Sequence, residues 1–305
     1  MNSLARIQPY VLAVFCVSAV ALSQVAPTDS SSKPPAVTVG FFALDRDKHP
    51  YADLKQSDLT ILENKHPVQS IISLKKAPAL PLRLGFLIDT SNSQLRSTLY
   101  HPGLLAATDF LNRILKDPDD KAFVEKVTEE SQASDFMNTA QLRSYRLNAA
   151  PEGGTALYDG VAFACDSRMR ADEPRASRRV LIVLSDGDDT MSHIPRDAAI
   201  KKALESGVVI FSVSTADDSS APYANTGKGD RTLEHFADDT GGEAFNHLNR
   251  KKIEQSFSAI AEALDNMYVV TFNSVTGEKG FHRIELKMSG KDKIRIRAPK
   301  GFYAQ

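Results

Sequence analysis

The sequence predicts an α/β fold: a doubly wound, mainly parallel sheet inserted into a small antiparallel β subdomain formed by both chain ends. Three observations predict it. Between residues 81 and 265, continuous apolar runs such as RLGFLID and RRVLIVLS alternate with segments whose apolar residues recur at helical spacing. That is the rhythm of strands buried on both faces by crossover helices. Before and after this span the period shortens to two, as in AVTVGFFAL and GFHRIELKM, the mark of half-buried antiparallel strands. Neither arm is large enough to bury a core alone, so the two are expected to pair.

The chain has 305 residues, 42% of them hydrophobic and 25% charged, which is ordinary globular composition. Residues 1–23 read as a cleaved secretory signal: Arg6 precedes an apolar run from Tyr10 to Leu22, and Ala21-Leu22-Ser23 forms a small-x-small cleavage site. The run of about 13 residues falls short of the roughly 20 that span a bilayer. Export to the periplasm or outside the cell is therefore expected, with no membrane span in the mature chain. Cys16 would leave with the signal and Cys165 would remain alone, which excludes a disulfide framework. Residues 24–35, with PTDSSSKPP, have the composition of a disordered linker.

Residues 36–80 form the first β arm: AVTVGFFAL, LTILE, NKHP and VQSIISL are strand-type runs parted by Asp, Asn, Lys and Pro turns. Leu80-Pro81 marks the change of rhythm. From there to residue 265 the order is strand RLGFLID, helix LLAATDFLNRIL, strand AFVEKVTEE, a polar helix at 138–147 and helix ALYDGVAFACDSRM. Strand RRVLIVLSDG, a helix at 198–205, strand GVVIFSVS, helix TLEHFADDTGG, short strand EAFNH and helix KKIEQSFSAIAEALDN complete it. Gly241, lacking a Cβ, suits a helix C-cap. His101-Pro102-Gly103 should break or delay the first helix. Glu125, Lys126, Glu129 and Glu130 make AFVEKVTEE polar for a buried strand, and SSAPYANTGKGD reads as a polar loop. Residues 266–305 supply the second arm through MYVVTF, GFHRIELKM and DKIRIRAPKGFY.

A formal net charge of −1 implies neither nucleic acid nor an anionic membrane as partner. The seven histidines (His49, His66, His101, His193, His235, His247, His282) show no zinc spacing. There is no Walker-type glycine loop and no G-x-S-x-G elbow. Gly227-Lys228-Gly229 lacks the preceding strand that a phosphate loop needs.

The informative stretch is LIDTSNS, where Asp89, Ser91 and Ser93 follow a buried strand at alternate positions. Those side chains favour turns; they equally offer three oxygens to a hard cation. Two other clusters share this ambiguity. Thr155 in Gly153-Gly154-Thr155 could simply be a helix N-cap, and Ser185-Asp186-Gly187 a strand-to-loop turn. Strand carboxyl ends are nonetheless where open parallel sheets bind ligands.

Together, Asp89-x-Ser91-x-Ser93, Gly153-Gly154-Thr155 and Ser185-Asp186-Gly187 resemble the metal-ion-dependent adhesion site of von Willebrand factor type A domains. The flanks VTVGFFALDRDKHPYADLKQSDLTILENKHPVQSI and FHRIELKMSGKDKIRIRAPKGFYA resemble the exported bacterial VWFA-related family, commonest in acidobacteria, so the resemblance covers nearly the whole mature chain. It implies a Rossmann-like domain at 81–265 between β arms at 36–80 and 266–305. It also implies Mg2+, or else Mn2+ or Ca2+, held by Asp89, Ser91, Ser93, Thr155 and Asp186, the hydroxyls ligating directly and the aspartates often through water. The implied role is non-catalytic: a protein partner offers an acidic side chain to the metal. Asp188 and Asp189 add negative charge, as a solvated loop or as groups that orient water. Two other readings stay open. One is a structural envelope protein with a vestigial site. The other is an aspartic-type hydrolase using Asp89, since FLIDTSNS also resembles an aspartic-protease loop; it needs a second copy, and Ser185-Asp186-Gly187 is not a convincing one.

Overall fold

The computed structural model describes residues 35–147, 149–170, 176–216, 226–290 and 294–304; the expected secretory signal and most of the expected linker lie outside the described residues. The first arm contains β1 (Ala36–Leu44), β2 (Leu59–Glu63), β3 (His66–Pro67) and β4 (Ile71–Lys76). The central span follows with β5 (Leu82–Asp89), α1 (Tyr100–Ile114), β6 (Lys121–Val127), β7 (Ser131–Ala133), α2 (Thr139–Ser144) and α3 (Leu157–Phe163). It continues with β8 (Arg178–Ser185), α4 (Arg196–Glu205), β9 (Val209–Ser214), α5 (Thr226–Thr240), β10 (Ala244–Phe245) and α6 (Arg250–Asp265). The second arm adds β11 (Tyr268–Asn273), β12 (Gly280–Met288), β13 (Arg295–Arg297) and β14 (Gly301–Ala304).

The central sheet has the order β10-β9-β8-β5-β6-β7. All its pairings are parallel except β6 with β7, an edge strand the sequence reading did not anticipate. Such a sheet must be covered on both faces, and it is. Phe86, Val124 and Ile182 pack under α1 and α6 with Phe110, Phe257 and Ile260. Leu87, Phe123 and Leu181 pack under α3, α4 and α5 with Val161, Ala203 and Phe236. The chain winds outward in opposite directions from β5 and β8, which makes their junction the switch point.

The terminal arms do more than form one small sheet. Their strands interleave into two four-stranded antiparallel sheets, β13-β1-β11-β4 and β14-β12-β2-β3. Each sheet takes strands from both arms, and between them lies a shared core of Phe41, Ile61, Val270, Phe272, Ile284 and Leu286. The period-two alternation is visible in β12, where His282, Ile284 and Leu286 are buried and Arg283, Glu285 and Lys287 are exposed. A polar cluster stays inside this sandwich. Glu63 is buried and holds His282 Nδ1 at 2.6 Å, Ser274 Oγ at 2.7 Å and the Val275 N–H at 2.7 Å. The other ring nitrogen of His282 faces the Glu278 carbonyl at 2.9 Å and must donate to it. The sandwich abuts the central domain where Phe42 meets Phe211 edge to face at 5.6 Å under the Arg297 guanidinium.

Several local expectations need correction. His101-Pro102-Gly103 does not delay α1, which begins at Tyr100. Pro102 falls in the first turn, where its missing N–H has no intrahelical partner to lose. Gly103 lets the helix close on its neighbours, because a Cβ there would stand 3.0 Å from Ile253 Cδ1. The strand in AFVEKVTEE stops at Val127, leaving Glu129 and Glu130 outside. Glu125 nonetheless stays inside it: the side chain is fully buried and neither oxygen has a hydrogen-bond partner among the described residues. Burial pushes its carboxyl up to about 8, with the nearby Ser131 hydroxyl and Arg168 charge only partly opposing. The polar helix at 138–147 shrinks to α2, capped reciprocally by Asn138 and Gln141. Beyond α3 the chain continues as a π-helical turn over Ala164–Met169. Gly227-Lys228-Gly229 is not loop but the first turn of α5. At the far end of α5, Gly241 has φ +83°, as a C-cap requires. No helix among the described residues is long and apolar enough to cross a membrane.

Candidate metal centre

Asp89 closes β5 and Ser185-Asp186 closes and follows β8, on the two sides of the switch point. Asp89 is fully buried. Its Oδ1 accepts the Ser91 N–H at 2.9 Å, and its Oδ2 accepts the Ser185 hydroxyl at 2.6 Å and the Gln94 amide at 3.2 Å. After extended backbone at Ser91, a 3-10 turn over Asn92–Arg96 folds the chain back and sets Ser93 Oγ 2.9 Å from Ser91 Oγ. The Gly153-Gly154-Thr155 stretch lies against this loop: the Asn92 N–H donates to the Gly153 carbonyl at 3.0 Å and the Glu152 N–H to the Thr90 carbonyl at 2.6 Å. Thr155 itself is buried. The structure thus clusters Asp89, Ser91, Ser93 and Asp186 through their side chains, and brings Thr155 alongside through the backbone bonds of Glu152 and Gly153.

Both aspartates are held above the ordinary carboxylate range. Burial pushes the Asp89 carboxyl up to about 7, and repulsion from Asp186 adds to it against the hydrogen bonds from Ser185 and Ser91. Asp186 is also raised by burial, opposed by the Ser93 hydroxyl, the Asp188 amide and the Arg96 charge. Asp188 is raised by burial and by Asp186, with Lys228 opposing. A buried carboxylate beside a second, half-buried one is costly unless a proton or a cation compensates the pair. Hydroxyl and carboxylate oxygens are the donor set of a hard divalent ion. The residues present fit such an ion.

Further residues build this cluster in roles that the sequence did not show. Gln94 ties the Asp89 carboxylate to β9, its Oε1 accepting the Thr215 hydroxyl at 2.7 Å, while the Thr215 N–H donates to the Ser185 carbonyl at 3.0 Å. Gly187 has φ +80° and faces Gly229 so closely that a Cβ on either would collide with the other segment's backbone. That approach seats the start of α5 on the Asp186 loop. Thr155 is not a helix N-cap; Ala156 occupies that position without a capping side chain. The cap comes from afar, since the Asp189 carboxylate accepts the Leu157 N–H at 2.8 Å and the Ser192 hydroxyl at 2.5 Å. Asp189 is therefore tied to the start of α3 rather than standing free in a solvated loop. The positive φ of Gly187 was the one advance signal among these, through its Asp-Gly dipeptide.

A second group of ligand-type side chains lies on the loop after β1. Ligand atoms of Asp45, Asp47 and His49 come within 4.8 Å of one another, in a largely exposed turn. There Asp45 Oδ1 accepts the Asp47 and His49 N–H groups, both at 2.9 Å.

No protein-family model matches the sequence, and no curated protein does. Among solved structures the chain is similar to a von Willebrand factor type A protein from Catenulispora acidiphila. The identity is 13%, the match covers 90% of this chain and 74% of that one, and the TM-score is 0.49. It is also similar to the conserved hypothetical protein BatB from Bacteroides thetaiotaomicron, at 18% identity, 59% and 99% coverage and a TM-score of 0.41. A third similarity is to proximal thread matrix protein 1 from the mussel byssus with a zinc-occupied MIDAS motif, at 17% identity, 64% and 49% coverage and a TM-score of 0.48.

Proposed function

We propose that this chain is an exported, non-catalytic binding module of the von Willebrand factor A type. In this reading one divalent cation sits at the carboxyl end of the parallel sheet and recognises an acidic side chain on a protein partner. The observation that carries it is the pair of mutually repelling carboxylates, buried Asp89 and half-buried Asp186, clustered with the hydroxyls of Ser91 and Ser93. Thr155, on the adjoining loop, completes the ligand set. Mg2+ is the expected ion, with Mn2+ or Ca2+ as alternatives. A bound cation supplies a Lewis-acidic position that an incoming carboxylate completes with no covalent bond made or broken.

The chain's own residues do the holding. The hydroxyls give neutral oxygens, the two aspartates give the compensating charge, and Gln94 and Ser185 fix the Asp89 carboxylate in place. That same arrangement supports binding over hydrolysis. Three of the roughly four acceptor positions of Asp89 are already occupied, which leaves one for the cation or a water on it and none to activate a second water for attack. Export is part of the reading and rests on the apolar segment before residue 23.

Calorimetric titration of the mature chain with Mg2+ and Mn2+ tests it. One equivalent should bind, Asp89→Ala and Asp186→Ala should abolish binding, and Thr155→Ala should weaken it less because water can take the vacated place. Binding indifferent to both aspartate substitutions would leave LIDTSNS as a turn only.

A further inference from the structure

Seven large apolar side chains are exposed among the described residues, and two of them, Leu95 and Met191, lie on the loops at the carboxyl end of the sheet. Leu95 is 67% exposed within the 3-10 turn Asn92–Arg96. It stands between Gln94, whose amide bonds Asp89, and Arg96, whose charge acts on Asp186. Met191 is 46% exposed on the loop after β8. Its N–H donates to the Thr155 carbonyl at 2.9 Å. Its side chain covers Gly154, where a Cβ would come within 2.6 Å of Met191 Cγ. The lack of a side chain at Gly154 is thus what lets Met191 lie over the loop that carries Thr155. Single exposed apolar residues are ordinary. These two flank one ligand set from two different loops.

The charges beside them are of both signs. Arg96 acts on Asp186, and Lys228, in the first turn of α5, acts on Asp188. Acids line the same loops: Glu129 Oε1 accepts the Gly154 N–H at 3.4 Å, and Glu152 and Asp189 adjoin Gly153 and Asp188. With a divalent cation bound, the face would offer an electrophilic centre for a carboxylate, with the apolar side chains of Leu95 and Met191 on the loops beside it.

We propose that this face selects an acidic segment whose carboxylate is flanked by large apolar side chains, with Leu95 and Met191 as the residues that determine the preference. The inference rests on the cation reading above. Burying a Leu side chain against such contacts is worth about tenfold in affinity or more, whereas a Ser in its place gains little.

The test uses three capped peptides with the cores Gly-Leu-Glu-Leu-Gly, Gly-Ser-Glu-Ser-Gly and Gly-Leu-Gln-Leu-Gly, titrated into the mature chain in saturating Mg2+. The wild type should bind the Leu-Glu-Leu peptide about tenfold more tightly than the Ser-Glu-Ser peptide, and the Leu-Gln-Leu peptide far more weakly than Leu-Glu-Leu. In Leu95→Ser/Met191→Ser, both changes being at the surface, the preference should fall below about threefold while Mg2+ affinity is kept. Three results overturn the inference: no preference or no binding by the Mg2+-loaded wild type, a preference retained in the double variant, or equal binding of Leu-Gln-Leu. A separate Mg2+ titration keeps the two levels apart. If the wild type binds no Mg2+, the cation reading itself fails and this inference falls with it.

Discussion

Asp89→Asn should stabilise the metal-free protein while destroying its response to metal. The Asp89 carboxyl is pushed from an ordinary 3.8 up to about 7 by burial and by Asp186. A raised folded-state value means that the folded chain holds its proton where the unfolded chain has released it. The associated stability is complete below pH 3.8 and is lost as pH rises through 7. At 1.36 kcal/mol per unit the loss approaches a ceiling of roughly 4 kcal/mol by pH 8. Asparagine removes the charge but keeps an oxygen for the Ser91 N–H. Its amide must then face Ser185 Oγ, which can turn to accept, and Gln94 Nε2, which cannot. That mismatch costs about 1–2 kcal/mol, leaving a net gain of about 2 kcal/mol at pH 8. Urea unfolding in EDTA at pH 8 and pH 5 measures it. The variant should be the more stable form at pH 8 and lose that advantage at pH 5, where Asp89 is protonated anyway. With Mg2+ at a hundred times its dissociation constant, the wild type should gain about 2.7 kcal/mol and the variant nothing. A variant less stable than wild type in EDTA at pH 8, or equally favoured at both pH values, would refute the electrostatic reasoning.

Three further outcomes follow from buried groups elsewhere. Glu125, raised from 4.5 to about 8 with both oxygens unpartnered, gives the wild type a loss of stability that grows from pH 5 to pH 9, with a ceiling of roughly 5 kcal/mol. Glu125→Gln should flatten that slope in urea titrations across the range, and an unchanged slope would count against a buried neutral acid. Gly229→Ala should cost about 1–3 kcal/mol through overpacking against the Asp186 backbone. It should also weaken Mg2+ binding in calorimetry, and a neutral effect on both would deny the close seating of α5. Glu63→Ala leaves His282 buried without its carboxylate and should cost about 3–5 kcal/mol in urea unfolding; a loss under 1 kcal/mol would show that the pair carries little.

Much of the architecture was legible because parallel strands buried on both faces must be written as uninterrupted apolar runs. RLGFLID and RRVLIVLS could hardly be anything else, and their carboxyl ends located Asp89 and Asp186. Alternation in AVTVGFFAL and GFHRIELKM gave away strands with one wet face, but not that they divide into two facing sheets. Which strand joins which sheet depends on partners more than 200 residues apart, as in β1 with β11. The start of α5 was hidden because Gly227-Lys228-Gly229 has poor helix propensity, and packing against the Asp186 loop overrides it. Local spacing exposed Ser91 and Ser93. It could not expose Gln94, Thr215 or Asp189, ordinary polar residues whose roles arise from contacts with strand ends and helix starts far along the chain.

The central claim is that one divalent cation sits at the carboxyl end of the parallel sheet. A crystal grown with Mn2+ and examined by anomalous diffraction tests it most directly, because it separates the two places where ligand atoms gather. The expected result is a single strong peak among Asp89, Ser91, Ser93, Thr155 and Asp186. A peak confined to Asp45, Asp47 and His49, or no peak at the strand ends under saturating Mn2+, would contradict it.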